Sequence, residues 1–369
     1  LLLALPVMLG VIILETVITA VGSAVFPPLP AILTSLFGIL FLLGASALTG
    51  AVFARRQINV FHHRGAVLVS GAAQRRRTPH TGSDLTLAGQ PVAAADETKH
   101  FKLIGSTGTG KSTAIRELLA GALARGDRAV IADPDGSYLK RFHDAARGDV
   151  ILNPFEPRAA RWDLFAEIRL PHDADQLARS LIPDHEGTDR NWRHYARTFL
   201  TAVLRQLHRL GEHDPVKLYY LLALAPADEL RDLLEATPAA SFLGQDNGKF
   251  FESVRSVANT HVAALEHVAR QESGAPLSIR TWIREGRGVL FLPSRAAEIA
   301  ALSQLVSTWM RLAIFETLNG EEGDQRLWFI VDELDALGAI DGLKDALARL
   351  RKFGGRCVLG LQSIAQARG

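Results

Sequence analysis

Beyond residue 98, the chain alternates between short apolar runs and longer segments in which apolar residues recur every three or four positions. Short apolar runs are typical of buried strands, and the longer spacing is typical of amphipathic helices. The order strand, helix, strand predicts a doubly wound α/β fold built on a parallel sheet. We predict strands at residues 101–104, 128–132, 150–152, 288–292, 327–331 and 356–361.

The strand pattern stops between residues 162 and 285, where amphipathic helical segments prevail. We predict helices at residues 174–182, 195–210, 216–224, 227–234 and 259–271. These helices indicate an all-α domain inserted into the sheet fold, so that residues 99–161 and 286–369 form one α/β domain. A cluster inside the insertion fits either a nucleic-acid contact or a solvated helix face; its members are Trp192, Arg193, His194 and Arg197.

Residues 1–54 contain two apolar stretches, each longer than the roughly 20 residues that cross a bilayer as a helix. Glu15 is the one charged residue in the first stretch, and the second stretch has no charge before Arg55. We therefore predict an N-terminal two-helix transmembrane hairpin, and a buried helical hairpin of a soluble protein is the alternative. Arginines from Arg55 to Arg77 follow it, and by the positive-inside rule they indicate a cytoplasmic side. Residues 55–98 are predicted to be a membrane-proximal connector.

The amino-acid composition excludes some kinds of site but does not by itself indicate a function. The 369 residues include 41 Lys and Arg against 39 Asp and Glu, a formal net charge of +2. Overall charge therefore gives no evidence for nucleic-acid binding, and any basic surface must be local. Cys357 is the only cysteine, which excludes an intrachain disulfide and a cysteine-rich metal site.

The segment after the first predicted strand matches G-x-x-x-x-G-K-[ST], the phosphate loop of nucleotide hydrolases. Glycines let backbone N–H groups close around phosphates, and a helix N-terminus adds partial positive charge. We expect Lys111 to reach the β- and γ-phosphates of ATP and Ser112 to ligate Mg²⁺. A simple glycine turn is the alternative. The candidate binding residues are Gly105, Ser106, Thr107, Gly108, Thr109, Gly110, Lys111, Ser112 and Thr113.

Carboxylates follow two of the predicted strands, and an amide follows a third. Asp332 is expected to hold Mg²⁺ through its water shell, and Glu333 to polarise the attacking water. The two could instead cap the next helix. Asp133 and Asp135 follow the second strand, and they fit either a nucleotide site or an ordinary turn. Gln362, at the tip of the last strand, could contact the γ-phosphate and the attacking water.

Taken in order, these motifs resemble the conjugative coupling ATPases of type IV secretion systems, the TraD-like branch related to the FtsK/HerA DNA translocases. The most specific stretches are Asn-Pro-Phe, Arg-Trp-Asp-Leu-Phe and Leu-Gln-Ser. The match extends over nearly all of the chain after residue 98. Its segments are 100–112, 133–136, 151–155, 161–165, 181–183, 330–333 and 360–363.

The resemblance implies a RecA-like P-loop NTPase in a homo-hexamer at the bacterial inner membrane, with the motor domain in the cytoplasm. It implies sequence-independent DNA binding, ATP hydrolysis between subunits, and delivery of a relaxase–DNA complex to the secretion channel. Gln362 matches the glutamine that senses the γ-phosphate, and Arg351 matches an arginine supplied to the neighbouring subunit. Two other functions stay open: a type IV secretion receptor that exports mainly proteins, and an FtsK/HerA-like DNA motor.

Overall fold

The computed structural model describes residues 85–363, except 185–186, 338–339 and 341, together with two helical residues, Thr16 and Gly44. The chain divides into two compact units, Leu1–Val69 and Ser70–Gly369, and the fold described below is that of the second. The predicted transmembrane hairpin lies outside the described residues apart from Thr16 and Gly44. Within the described part of the chain, no helix combines the length and the apolar character needed to cross a membrane.

Strands and helices alternate toward both ends of the described residues, and helices fill the middle. The strands are β1 (Leu85–Leu87), β2 (Gln90–Val92), β3 (Phe101–Ile104), β4 (Arg128–Pro134), β5 (Val150–Ile151), β6 (Arg161–Trp162), β7 (Pro276–Leu277), β8 (Val289–Ser294), β9 (Leu327–Val331) and β10 (Gly355–Leu361). The helices are α1 (Ala94–Glu97), α2 (Lys111–Ala124), α3 (Ser137–Phe142), α4 (Pro171–Leu181), α5 (Arg190–Leu210), α6 (Pro215–Ala223), α7 (Ala227–Leu234), α8 (Gly248–Val262), α9 (Leu265–Ala269), α10 (Ile279–Glu285), α11 (Ile299–Leu318), α12 (Leu334–Leu337) and α13 (Leu343–Leu350). Short 3-10 turns occupy Ala145–Arg147, Phe165–Glu167, Pro238–Leu243 and Arg351–Phe353.

The main sheet has the strand order β3-β10-β9-β4-β8-β5. Each neighbouring pair runs parallel, which confirms the predicted parallel α/β sheet. β4 and β8 both end two residues later than predicted, because Asp133 pairs with Pro293 and Pro134 with Ser294 beyond the apolar run. The polar ends of the strands therefore belong to the sheet.

Two apolar cores cover the two faces of this sheet. Along β4, Ala129 and Ile131 face the core that contains α2, whereas Val130 and Ala132 face the core that contains α11. This alternation follows from the period of two in a strand. Because both faces are buried along β4, β8, β9 and β10, these central strands contain continuous apolar runs in the sequence.

The chain between β5 and β8 is mainly helical, and its main departures from the predicted pattern are a divided helix and a pair of short strands. The predicted helix at residues 259–271 is wrong as one element, since α8 ends at Val262 and α9 begins at Leu265. Val262, Leu265 and Val268 are all buried, so the apolar spacing continues across the turn and hides it. The strands β6 and β7, two residues each, pair in parallel and join the beginning and end of the helical segment.

Residues 85–97, within the segment predicted as a connector, form an antiparallel hairpin and a short helix. Leu85 and Val92 are buried in the same core as α2. The backbone N–H of Gly89 donates to the Glu117 carboxylate at 3.0 Å. Strands of three residues are too short to produce a recognisable period of two, which is why the sequence pattern does not reveal the hairpin.

A buried ionic network ties together the amino ends of the strands. The Glu97 carboxylate accepts hydrogen bonds from Arg125 at 2.7 and 2.9 Å and from Arg356 at 2.8 Å. Arg125 also pairs with Asp127, whose carboxylate accepts from the Trp328 indole at 2.9 Å. Removing one partner from a buried ion pair typically costs about 3–5 kcal/mol. The network therefore fixes how α2, β9 and β10 lie relative to one another.

The last helix of the described residues, α13, is eight residues long. α13 begins after Gly342, which has a φ of +72°, a left-handed conformation that cannot continue a right-handed helix. The helix gives way at Arg351 to a 3-10 turn that ends at Gly354, with φ +69°. Arg351 therefore lies in a turn just before β10 and not on the helix itself.

Candidate functional site

The phosphate loop, residues 105–112, joins β3 to α2 at the carboxyl edge of the sheet. Gly108 and Gly110 have φ values of +81° and +88°, which side chains disfavour, so glycine is required at both positions. A Cβ on Gly105 would lie 2.6 Å from Oγ1 of Thr109, and the N–H of Gly105 donates to the Leu361 carbonyl at 3.1 Å. The loop therefore folds tightly and presents the N-terminus of α2.

Lys111 begins α2, and its side chain bends back over the loop. Its ammonium donates to the carbonyl oxygens of Gly105 and Ser106, the latter at 3.1 Å. Ser112 and Thr113 follow in the first turn of α2 and line the same cleft as Lys111. A cation, a hydroxyl and the first N–H groups of a helix thus lie together, which suits a phosphate group.

The ends of β9 and β10 meet at the cleft beside the N-terminus of α2. A Cβ on Gly360 would lie 1.9 Å from the carbonyl oxygen of Asp332, so only glycine lets β10 pass this close to the end of β9. Asp332 and Glu333 follow β9, and Gln362 follows β10. The Gln362 amide donates a hydrogen bond to the Glu333 carboxylate. The amide and the carboxylate expected to act on the attacking water are therefore in direct contact.

One cleft of about 440 Å³ gathers most of the predicted site residues. It is lined by Thr107, Gly108, Gly110, Lys111, Ser112, Thr113, Arg116, Pro134, Asp135, Ser137, Asp332, Glu333 and Gln362. Gly105, Ser106 and Thr109 shape the loop without lining the cleft. Its volume lies within the range of small-molecule sites, about 300–1,000 Å³.

The Asp332 carboxylate is held by a phenol that the motifs did not indicate. The Tyr138 hydroxyl donates to Oδ2 of Asp332 at 2.9 Å, and Tyr138 is only 1 % exposed. Burial, together with the charge of Asp332, raises the pKa of Tyr138 far above its usual value, so the phenol keeps its proton. The two residues are 194 positions apart, and no local pattern connects them.

Arg116 is a second residue that the motifs did not indicate. Its guanidinium carbon lies 5.3 Å from the centre of the Tyr138 ring, and it donates to the Ser137 hydroxyl at 3.1 Å. The sequence could have indicated this residue, because Arg116 follows Ser112 by four positions and residues at this spacing share one face of a helix. It adds a second cation beside Lys111.

The two acidic residues after β4 have different roles. Asp133 is buried, and its carboxylate accepts from the backbone N–H groups of Tyr138 at 3.0 Å and Leu139 at 2.7 Å. It therefore caps the start of α3, as the turn-forming interpretation predicts, and burial raises the pKa of its carboxyl group. Asp135 has a φ of +71° and lines the cleft.

The donor set fits a magnesium ion. Ser112 and Asp332 line the same cleft and offer a hydroxyl and a carboxylate, which are hard oxygen ligands. Mg²⁺ commonly takes one or two such protein ligands and completes its shell with water and phosphate oxygens. The Tyr138 hydrogen bond to Oδ2 restrains the Asp332 carboxylate, as partners of metal ligands commonly do.

Arg351 is exposed and does not line the cleft of its own chain. Nothing in the described structure brings its guanidinium to Lys111 or Asp332. The structure thus groups the predicted loop residues with Asp332, Glu333 and Gln362, and it leaves Arg351 outside this group.

Known proteins resemble the chain over this region. The family model described as the type IV secretion-system coupling protein DNA-binding domain matches residues 84–369. The coupling protein TraD of Escherichia coli (strain K12) is 35 % identical over 291 residues, which cover 77 % of this chain and 40 % of TraD. The conjugal transfer protein TraG of Escherichia coli is 26 % identical over 265 residues, covering 60 % of this chain and 41 % of TraG. The chain thus spans less than half the length of these curated relatives.

Solved structures with the same fold agree with this match. The plasmid coupling protein TrwB in complex with the ATP analogue ADPNP has a TM-score of 0.75 and 35 % identity, covering 82 % of this chain and 73 % of that chain. TrwB in complex with ADP and Mg²⁺ has a TM-score of 0.74 and the same identity, covering 82 % and 72 %. The resemblance that the motifs indicated is confirmed, and the chain belongs to the type IV secretion-system coupling protein family.

Proposed function

We propose that the chain is a membrane-anchored, ATP-driven DNA translocase that acts in conjugation and delivers a relaxase–DNA complex to a type IV secretion channel. The observation that carries this proposal is the convergence of the phosphate loop, Asp332, Glu333 and Gln362 in one cleft. TrwB, which shares the fold, binds ADP with Mg²⁺ and an ATP analogue. The family model that matches the chain is described as a coupling-protein DNA-binding domain.

Each residue of the cleft has a role that its chemistry supports. Lys111 and the N-terminus of α2 offset the charge of the β- and γ-phosphates of ATP. Ser112 and Asp332 would hold Mg²⁺, which neutralises charge on the phosphate oxygens when bound. Glu333 accepts a proton from the attacking water or polarises it, and Gln362 holds Glu333 in place through their hydrogen bond.

The variant Lys111→Thr tests the hydrolytic site. It removes the cation over the loop, so we expect phosphate release from ATP to fall to background while the protein stays folded. Lys140→Thr is the matched control, because Lys140 is exposed and does not line the cleft. Turnover at the wild-type level in Lys111→Thr would contradict the site assignment.

DNA dependence separates the proposed translocase from a receptor that exports mainly proteins. A translocase should bind DNA of unrelated sequences with a strong dependence on salt and should hydrolyse ATP faster with DNA present. Transfer of a mobilisable plasmid should also stop when the gene is deleted. Normal transfer in the deletion strain would instead favour an FtsK/HerA-like motor.

We propose that residues 1–54 form a transmembrane hairpin in the inner membrane, with the motor domain in the cytoplasm. Residues 55–98 would connect the two, and the end of this connector, residues 85–97, packs into the core of the α/β domain. The length of the two apolar stretches and the arginines that follow them support this topology. We also propose residues 99–161 and 286–369 as the nucleotide-binding domain and 162–285 as the insertion. The pairing of Arg161 with Pro276 and of Trp162 with Leu277 supports this division, because it joins the two ends of the insertion.

We further propose a homo-hexamer in which Arg351 reaches the nucleotide of the neighbouring subunit. Its exposure, and its absence from the cleft of its own chain, support a role in trans. Arg351→Ala should lower turnover, and mixing it with Lys111→Thr should restore part of it, because some interfaces then combine an intact loop with an intact arginine. Lys352→Ala, the exposed neighbour, is the control. A mixture without recovered turnover at any ratio would argue against this role.

A further inference from the structure

A second groove, of about 700 Å³, lies in the helical part of the chain and shares no residue with the nucleotide cleft. It runs between α4, α5 and residues 236–238. We call it the arginine groove, because four arginines line it: Arg179, Arg197, Arg205 and Arg209. Asp175 is the one carboxylate among its lining residues.

The positive charges of this groove form a row. Arg197, Arg205 and Arg209 lie on α5 at separations of eight and four positions, which brings them to one face of the helix. At 1.5 Å of rise per residue, the row is about 18 Å long from Arg197 to Arg209. A compact anion needs cations that converge on one point, whereas a row of cations suits a polymer with regularly spaced negative charges.

The arginines retain positive charge that the neighbouring carboxylates do not balance. Arg205 pairs with Asp175, whereas Arg179 and Arg197 both pair with Asp184. The side chains of Arg205 and Asp175 are 47 % and 50 % exposed, and such exposed pairs contribute little stability, so a phosphate can replace the carboxylate. Arg209 is exposed at the end of α5.

The other side chains in the groove suit a phosphate backbone and not the bases. Thr198 and Thr201 add hydroxyl groups, which commonly contact phosphates, and among the described residues no Phe, Tyr or Trp lines the groove. Trp192, part of the basic and aromatic cluster in the sequence, packs against Tyr195 and Phe250 instead. The cluster therefore divides: Trp192 packs among aromatic rings, whereas His194 and Arg197 line the groove.

We propose that the arginine groove binds the phosphodiester backbone of DNA without reading its sequence. The proposal rests on the proposed function, since it names a surface for the DNA that the motor would move. Each phosphate contact that is lost should lower the slope of log K against log salt concentration by about one unit.

The test compares charge-neutralising double variants of the full chain in detergent. Binding of labelled double-stranded oligonucleotides of two unrelated sequences is measured by fluorescence anisotropy between 50 and 200 mM salt. We expect Arg205→Gln with Arg209→Gln to lower the salt slope by about two units for both sequences. Arg158→Gln with Arg270→Gln is the control, because it removes the same charge from exposed, ion-paired arginines outside the groove. Its slope should match that of the wild type.

A conservative variant separates loss of charge from loss of folding. Arg205→Lys with Arg209→Lys keeps both charges and should keep the wild-type slope. An equal loss in the lysine and glutamine variants, or in the glutamine and control variants, would overturn the assignment of the groove. If the wild type binds DNA and the glutamine variant binds as well as its control, the groove proposal alone is wrong. If the wild type binds neither sequence, the proposed function itself fails.

Discussion

Replacing Tyr138 by phenylalanine should weaken the magnesium-dependent binding of nucleotide while leaving the fold intact. The ring of Tyr138 is buried, and phenylalanine would fill the same space. The change removes only the hydroxyl that donates to Oδ2 of Asp332 at 2.9 Å. Asp332 would then lose the group that restrains it toward the proposed magnesium ion.

The magnitude follows from the type of hydrogen bond and its surroundings. A hydrogen bond to a charged group contributes about 1.5–3 kcal/mol. Asp332 lies at the edge of the cleft and is only partly buried, so water can replace the phenol and the lower part of this range applies. About 1.5 kcal/mol corresponds to roughly a tenfold change in an equilibrium constant. We therefore expect about ten times more Mg²⁺ to be needed for half-maximal nucleotide binding.

A fluorescent ATP analogue titrated with Mg²⁺ at fixed protein concentration measures this change directly. Tyr220→Phe is the matched control, because the Tyr220 hydroxyl donates to the Glu229 carboxylate at 2.8 Å outside the cleft. The control should leave the Mg²⁺ requirement unchanged. A Tyr138→Phe variant that needs no more Mg²⁺ than the control would refute the view that this phenol positions the metal ligand.

Two further changes test the geometry and the pH response of the fold. Gly360→Ala would place a Cβ 1.9 Å from the Asp332 carbonyl, so hydrolysis of ATP should be lost, whereas Gly248→Ala, with no atom near its Cβ, should keep normal turnover. Burial, together with the charge of Arg193, lowers the pKa of His261 to about 4, so the unfolded chain takes up this proton at a higher pH than the folded chain. Stability should therefore fall by about 2 kcal/mol between pH 7.5 and 5. Urea unfolding of His261→Gln should show a smaller fall, and an unchanged pH dependence would contradict the role of His261.

Local patterns predicted the strands and the phosphate loop because the physical cause of each lies within a few residues. The central strands β4, β8, β9 and β10 are buried on both faces, so each one contains a continuous apolar run, and the edge strand β3 shows apolar alternation instead. The phosphate loop needs glycines at positions with positive φ, and these glycines are visible in the sequence. Asp332, Glu333 and Gln362 could be predicted because each lies directly after an apolar strand, and ligands bind at the carboxyl ends of the strands in such a sheet.

Contacts between distant segments could not be predicted in this way. Tyr138 meets Asp332 only because α3 and β9 come together in the fold. Asp133 and Asp135 look alike in the sequence, yet one caps α3 and the other lines the cleft. The hairpin of β1 and β2 and the pairing of β6 with β7 use strands too short to show a period.

The strand order has a consequence for the time at which the protein can first act. β3, which leads into the phosphate loop, lies at the edge of the sheet, and its neighbour is β10, the last strand in the described part of the chain. During synthesis, the loop therefore emerges from the ribosome long before its strand has a partner. A nascent chain that ends before β10 would carry the loop without Gln362, so hydrolysis should begin only after nearly all of this region has been made.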